Sequence, residues 1–218
     1  MSVDLPSSPA NVIADSSGIY VSAPNSREIQ FLDIGFSLGT PIVAGGLGVK
    51  QVARTSTRLF GISSTPSFVY TNAENYARSG SSLISRQPPG KITSLTNSAI
   101  ISYPEADAVR FYDVATRLYY EIAVGDSPRE IYTVATTNRA YIANYDSDSI
   151  TVLNTLTRAI VGTVSLTGGC GPTKMVDLVI AGNRSLYISC DKMDQLEALD
   201  VQADANTLSL PISLRIRD

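Results

Sequence analysis

One phrase recurs along this chain at a spacing of about forty residues. IYVSAPNSREIQFLD (19–33), LFGISSTPSFVYTN (59–72), AIISYPEADAVRFYD (99–113), AYIANYDSDSITVLN (140–154) and LYISCDKMDQLEALD (186–200) each join an apolar run, a short polar loop and an alternating run. Their second positions are Tyr20, Phe60, Ile100, Tyr141 and Tyr187, which stand 40, 40, 41 and 46 residues apart. A period of this length marks a supersecondary unit that cannot bury its apolar face alone and must stack on copies of itself. The runs are short, rich in Val, Ile, Tyr, Phe and Thr, and bounded by Gly, Pro, Asn, Asp and Ser. That is strand character, and helical periodicity is hardly present.

Each unit supplies four strands. In the fourth they are expected at 130–135, 140–144, 150–154 and 159–166. The connections GGLG (45–48), RQPPG (86–90), GDSP (125–128) and TGGCGP (167–172) lead from one unit to the next. Radial repetition of such units gives an all-β fold, a five-bladed β-propeller of four-stranded antiparallel blades. It would be one domain over 1–218, with approximate units 1–47, 48–88, 89–126, 127–170 and 171–218. A linear β-solenoid and an open array are the alternatives. Closing a ring needs a strand from one terminus. The run 208–217 is a candidate outer strand, with Ser2–Leu5 beside it. GGLG and SGSS (79–82) match neither GxGxxG nor GxxxxGK[ST], and they read as turns rather than phosphate loops.

The fourth unit resembles the YVTN-type β-propeller repeat. The matches are Gly125 and Pro128 in the lead-in, Tyr141–Asn144 in the second strand and Asp146–Ser149 in the loop. Val152–Asn154 match in the third strand and Thr155–Thr157 in the turn, although Asn154 stands where the repeat has Asp. The match is good in unit four, fair in units one, three and five, and poor in unit two. The size is also similar to five-bladed tachylectin-type lectins, whose sugar-binding signatures are not seen. The resemblance implies the fold and says little about function, because the family spans many roles.

Histidine is absent, which removes the usual proton carrier near neutral pH and the commonest metal ligand. No enzyme, cofactor or metal site is expected, and only carboxylate or tyrosine chemistry stays open. A formal net charge of −3 exerts no general pull on nucleic acid or acidic membranes. The aromatic residues sit within strand patterns, as packing residues rather than platforms for bases. No apolar run approaches the roughly 20 residues of a membrane span. The first residues lack a basic region followed by an apolar one, so no signal peptide is visible. The expected location is cytoplasmic as synthesised, or within a viral particle.

Three residue sets are candidate sites. Lys50, Lys91, Arg129 and Lys174 stand at the start of the innermost strands of units two to five, where they could ring a channel mouth and bind an anion or acidic partner. Glu105, Asp107, Asp146, Asp148, Asp191 and Asp194 lie in the loops between second and third strands. Converging oxygens there could hold a hard cation, whereas the plainer reading is that acids solvate turns. Arg58, Arg117, Arg139, Arg158 and Arg184 occupy turns on the opposite side, a basic face for docking an acidic partner. Cys170 and Cys190 fall on adjacent segments. A disulfide is geometrically possible, but with no secretion signal two buried thiols are expected, and two cysteines without histidine make a poor zinc site.

These features fit a non-enzymatic structural or protein-interaction propeller that assembles with other subunits as a homo- or hetero-oligomer, for example as a phage tail or neck component. The alternative is a glycan- or anion-binding propeller that uses the loop face or channel mouth. The divergent loops APNSRE, STPS, PEAD, YDSDS and DKMDQ argue against repeated sugar pockets.

Overall fold

Each repeat folds into one four-stranded antiparallel sheet whose strands follow chain order from first to fourth. The computed structural model describes residues 4–5, 8–43, 48–63, 68–72, 78–82, 87–201 and 212–215. Sheet 1 contains β1 (Asn11–Asp15), β2 (Gly18–Ser22), β3 (Glu28–Leu32) and β4 (Ile42–Val43). Sheet 2 contains β5 (Val49–Arg54), β6 (Arg58–Ser63), β7 (Phe68–Asn72) and β8 (Arg78–Ser82). Sheet 3 contains β9 (Ile92–Ser94), β10 (Ser98–Tyr103), β11 (Ala108–Asp113) and β12 (Tyr119–Ala123). Sheet 4 contains β13 (Pro128–Val134), β14 (Arg139–Asn144), β15 (Ser149–Asn154) and β16 (Ile160–Ser165). Sheet 5 contains β17 (Pro172–Ile180), β18 (Asn183–Cys190), β19 (Gln195–Val201) and β20 (Ile212–Arg215). The only helical segments among the described residues are the short 3₁₀ turns Pro104–Ala106 and Ala135–Thr137. Among the described residues no helix is long and apolar enough to cross a membrane.

The turn after the third strand shows why the repeat accepts Asp or Asn at that point. Asp33 Oδ1 accepts the N–H groups of Gly35 and Ser37. Asp113 Oδ1 accepts those of Ala115 and Thr116, and Asn154 Oδ1 those of Leu156 and Thr157. Either side chain offers the required acceptor, so Asn154 does the work of Asp. The chain then reverses through a left-handed residue, Phe36, Arg117 or Arg158, each with φ of 60°.

Two expectations are corrected. SGSS (79–82) is strand rather than turn, since Gly80, Ser81 and Ser82 pair with Tyr70, Val69 and Phe68. Backbone pairing supplies the ladder there, and the residues need no strand propensity of their own. The C-terminal run does supply an outer strand, with Leu196 opposite Leu214. Asp4 and Leu5 are not in a strand, and Ser2 and Val3 lie outside the described residues.

The chain groups into two compact units, residues 1–101 with 112–119, and residues 102–111 with 120–218. In the first, Tyr20, Ile29 and Ile42 of sheet 1 pack on Val49, Val52 and Leu59 of sheet 2. In the second, Tyr141, Ile150 and Val152 of sheet 4 pack on Leu186, Ile188, Leu199 and Val201 of sheet 5. β14 is buried along its whole length, so sheet 4 is covered on both faces. β19 alternates between buried and half-buried from Glu197 onward, the pattern of a sheet covered on one face.

Candidate functional site

The loop acids do not converge on a cation. Asp107 and Asp148 lie in the left-handed region, with φ of 51° and 44°. Their carbonyls accept the N–H groups of Val124 and Leu166, at 2.8 and 2.9 Å. Their carboxylates accept from the lead-in of the next repeat. Asp107 Oδ1 takes the Ser127 N–H at 2.8 Å, and Asp148 takes those of Gly169 and Gly171 at 2.8 and 2.7 Å. Each acid therefore fastens one repeat to the next. Burial pushes the Asp148 carboxyl up, but the Gly171 and Gly169 N–H groups and the Lys192 charge outweigh it, and the net shift is downward.

The other loop acids are dispersed. Asp146 faces Lys192 Nζ at 3.3 Å, and the Asp191 N–H is bonded to the Gly171 carbonyl. Glu105 sits in a 3₁₀ turn. Asp194 is exposed, seven residues after Tyr187, as Asp107 and Asp148 follow Ile100 and Tyr141. Loop residues 64–67 lie outside the described residues. Among the described residues, Cys170, Cys190 and Glu197 form the one group of three possible metal ligands with donor atoms within 4.8 Å of one another, and none of the six loop acids belongs to it.

The basic set at the inner strands has two kinds of position. Lys50 and Arg129 are bulge residues, skipped between Val49 and Gln51 and between Pro128 and Glu130. Lys174 pairs with Ser189 in the register that Glu130 occupies opposite Ala143, and Lys91 directly precedes Ile92, which pairs with Ile101. Lys50 donates to the Pro89 carbonyl, and burial lowers its pKa. Arg129 stacks on Tyr145, 3.4 Å from the ring centroid. Lys174 bonds Glu130 at 3.0 Å.

Sequence reasoning missed a polar series at this level. Asn11 Oδ1 accepts the Val52 N–H at 2.9 Å, and Gln51 Oε1 accepts the Ile92 N–H at 3.2 Å. Glu130 continues the series through Lys174. A polar residue at 11, 51, 91, 130 and 174 was the available signal.

The residues of the expected basic face differ in their surroundings, and two of them are held by neighbouring side chains. Arg139 is buried because it opens β14, paired with Val134 on one side and Asn154 on the other. Arg184 pairs with Asp177, and Arg158 lies 3.8 Å from the Tyr120 ring centroid. Arg58 opens β6 half-buried, and Arg117 is exposed.

The expectation of two free thiols is corrected: Cys170 and Cys190 form a disulfide, with Cα atoms 4.4 Å apart. The lead-in loop is held against the end of β18 by bonds from Asp191 N to the Gly171 carbonyl and from Lys192 N to the Cys170 carbonyl, which brings the two cysteines together. The absence of a visible leader carried no information about that geometry.

The remaining feature is an uncovered face of sheet 5. Lys174, Val176, Leu178 and Ile180 alternate along β17 and point to one side, with Val176 and Ile180 each 61% exposed. Tyr187 and Leu196 continue this face on β18 and β19, and with β17 they line an apolar groove of about 460 Å³.

No protein-family model matches the sequence, and no curated protein is found as a relative. Solved structures do match. The β-propeller domain of Cps50 (Swd1) from Myceliophteria thermophila gives a TM-score of 0.74 at 11% identity, over 95% of this chain and 72% of that one. A chain of the Mitotic Checkpoint Complex gives 0.75 at 11%, over 93% and 64%. A functionally unknown protein from Desulfotomaculum acetoxidans gives 0.79 at 15%, over 97% and 71%. This chain thus spans about two thirds to three quarters of each of these three. At such identities the likeness establishes the fold, a β-propeller, and nothing of the chemistry.

Proposed function

We propose that this chain is a non-enzymatic protein-interaction propeller of five blades, and that the uncovered face of sheet 5 docks another subunit. The carrying observation is the ladder Val176, Leu178 and Ile180, exposed beside Tyr187 and Leu196. Contiguous apolar surface of this kind marks an interaction site on a folded protein. Its occupant is an apolar sheet face of another copy, because a flat strand surface with period-two side chains is complemented best by a second such surface. Sheets 4 and 5 already pack on each other in that way. One similar chain comes from the Mitotic Checkpoint Complex, which accords with this reading. Lys174 at the rim, bonded to Glu130, would set orientation rather than affinity.

Light scattering after size-exclusion chromatography tests the proposal. The protein should associate with rising concentration, and a variant carrying both Val176→Lys and Leu178→Lys should stay monomeric with an unchanged β spectrum. A wild-type chain that remains monomeric and binds glycans would overturn it.

A further inference from the structure

A polar pair stands where the second strand of a sheet ends and the third begins. In sheet 3 it is Tyr103 and Arg110, with the guanidinium 4.5 Å from the ring centroid and Nε donating to Glu121 at 2.6 Å. In sheet 4 it is Asn144 and Thr151, joined by a 2.9 Å bond from Nδ2 to Oγ1. These residues follow Ile100 and Tyr141 by three and ten positions. The same places after Tyr187 hold Cys190 and Glu197.

Glu197 is fully buried, on the side of β19 that carries Leu199 and Val201 into the core. Its Oε1 accepts the Thr167 N–H at 2.9 Å. Its Oε2 is buried with no hydrogen-bond partner among the described residues. A carboxylate oxygen of Glu197 and the sulfurs of Cys170 and Cys190 all lie within 4.8 Å of one another. A buried carboxylate with an unmet oxygen is costly and calls for a partner. The oxidised sulfurs, already bonded to each other, supply none.

We propose that Cys170, Cys190 and Glu197 form a redox-gated site for a thiophilic divalent cation such as Zn²⁺, available only when the disulfide is reduced. A phosphine supplies two electrons and takes oxygen from one water to become the phosphine oxide, and the two protons of that water convert the disulfide into two thiols. The cation then takes two thiolates and one carboxylate oxygen, and the two thiol protons return to solvent. Zinc–sulfur and zinc–oxygen distances of about 2.3 and 2.1 Å set tetrahedral donors about 3.5–3.8 Å apart, so the Glu197 oxygen, within 4.8 Å of both sulfurs, is already near its place, whereas the bonded sulfurs must move apart. Cys170 lies in the lead-in loop between β16 and β17, so the sulfurs separate by loop movement while the strands keep their register. The cation replaces the disulfide as the staple of that loop and neutralises Glu197.

The full chain, reduced with a phosphine that is then removed, is titrated with Zn²⁺ by calorimetry and with Cd²⁺ by thiolate-to-metal ultraviolet absorption. One ion per chain should bind to the reduced protein and none to the oxidised protein. Glu197→Gln should weaken binding by at least about tenfold, the low end of what loss of even an outer partner causes, and Cys170→Ser should abolish the two-thiolate absorption band. Circular dichroism establishes that each sample keeps its sheets. Reduced, folded protein that binds no ion, or Glu197→Gln protein that binds as tightly as wild type, would overturn the proposal. So would a disulfide that opens only as the β spectrum is lost.

Discussion

At the residue scale, the structure turns loop acids into joints between repeats. Asp148 accepts two N–H groups from the Gly169–Gly171 lead-in, and charge-assisted bonds of this kind are the stronger class. Asp148→Asn keeps an acceptor and tolerates the left-handed backbone but loses the charge, so it should cost about 1–2 kcal/mol at neutral pH. The folded carboxyl sits below its ordinary value of 3.8. Its stabilisation is therefore complete above that value and is lost as pH falls through the lower folded one. Urea unfolding of both proteins should show a clear gap at pH 7 that closes as the acid range is entered and the folded carboxyl takes up its proton; a gap independent of pH would refute the role of the charge. The sequence displayed these acids but not their use. Asp107 and Asp148 look like any loop carboxylates until the next repeat's backbone is placed beside them. Glu197 was hidden for a related reason, since only the fold brings it to Cys170 and Cys190.

At the scale of elements, strands were legible because period-two runs and turn residues recur at the repeat spacing. β13 to β16 fall close to their expected places. Composition misled at SGSS (79–82), where Gly and Ser suggested a turn and the ladder with β7 made a strand. The inner-strand polar series was visible only as scattered residues at 11, 51, 91, 130 and 174, of which Asn11, Gln51 and Glu130 reach the next repeat's backbone or its lysine. Gln51→Leu should leave the Ile92 N–H without its acceptor, at a cost of about 1–3 kcal/mol. Equilibrium denaturation checks this, and a variant as stable as wild type would show that the bond contributes nothing.

At the scale of the whole molecule, the β-propeller fold follows from five successive four-stranded sheets and from the likeness to solved propellers. Function was far less legible. The run KMVDLVI (174–180) announces a strand by its alternation, yet burial of either side of that strand depends on what packs against it. Sheet 4 is covered on both faces and sheet 5 on one, a difference that the two similar repeats do not reveal on their own. The expected charge clusters proved mostly engaged within the chain, which moves the emphasis from electrostatics to the apolar ladder of β17. Carbene footprinting of the native protein, below and above the concentration at which it associates, tests this most directly. Labelling of Val176, Leu178 and Ile180 should fall sharply on association, while labelling of exposed Leu156 stays constant. Association that leaves the β17 residues as reactive as before would contradict the account.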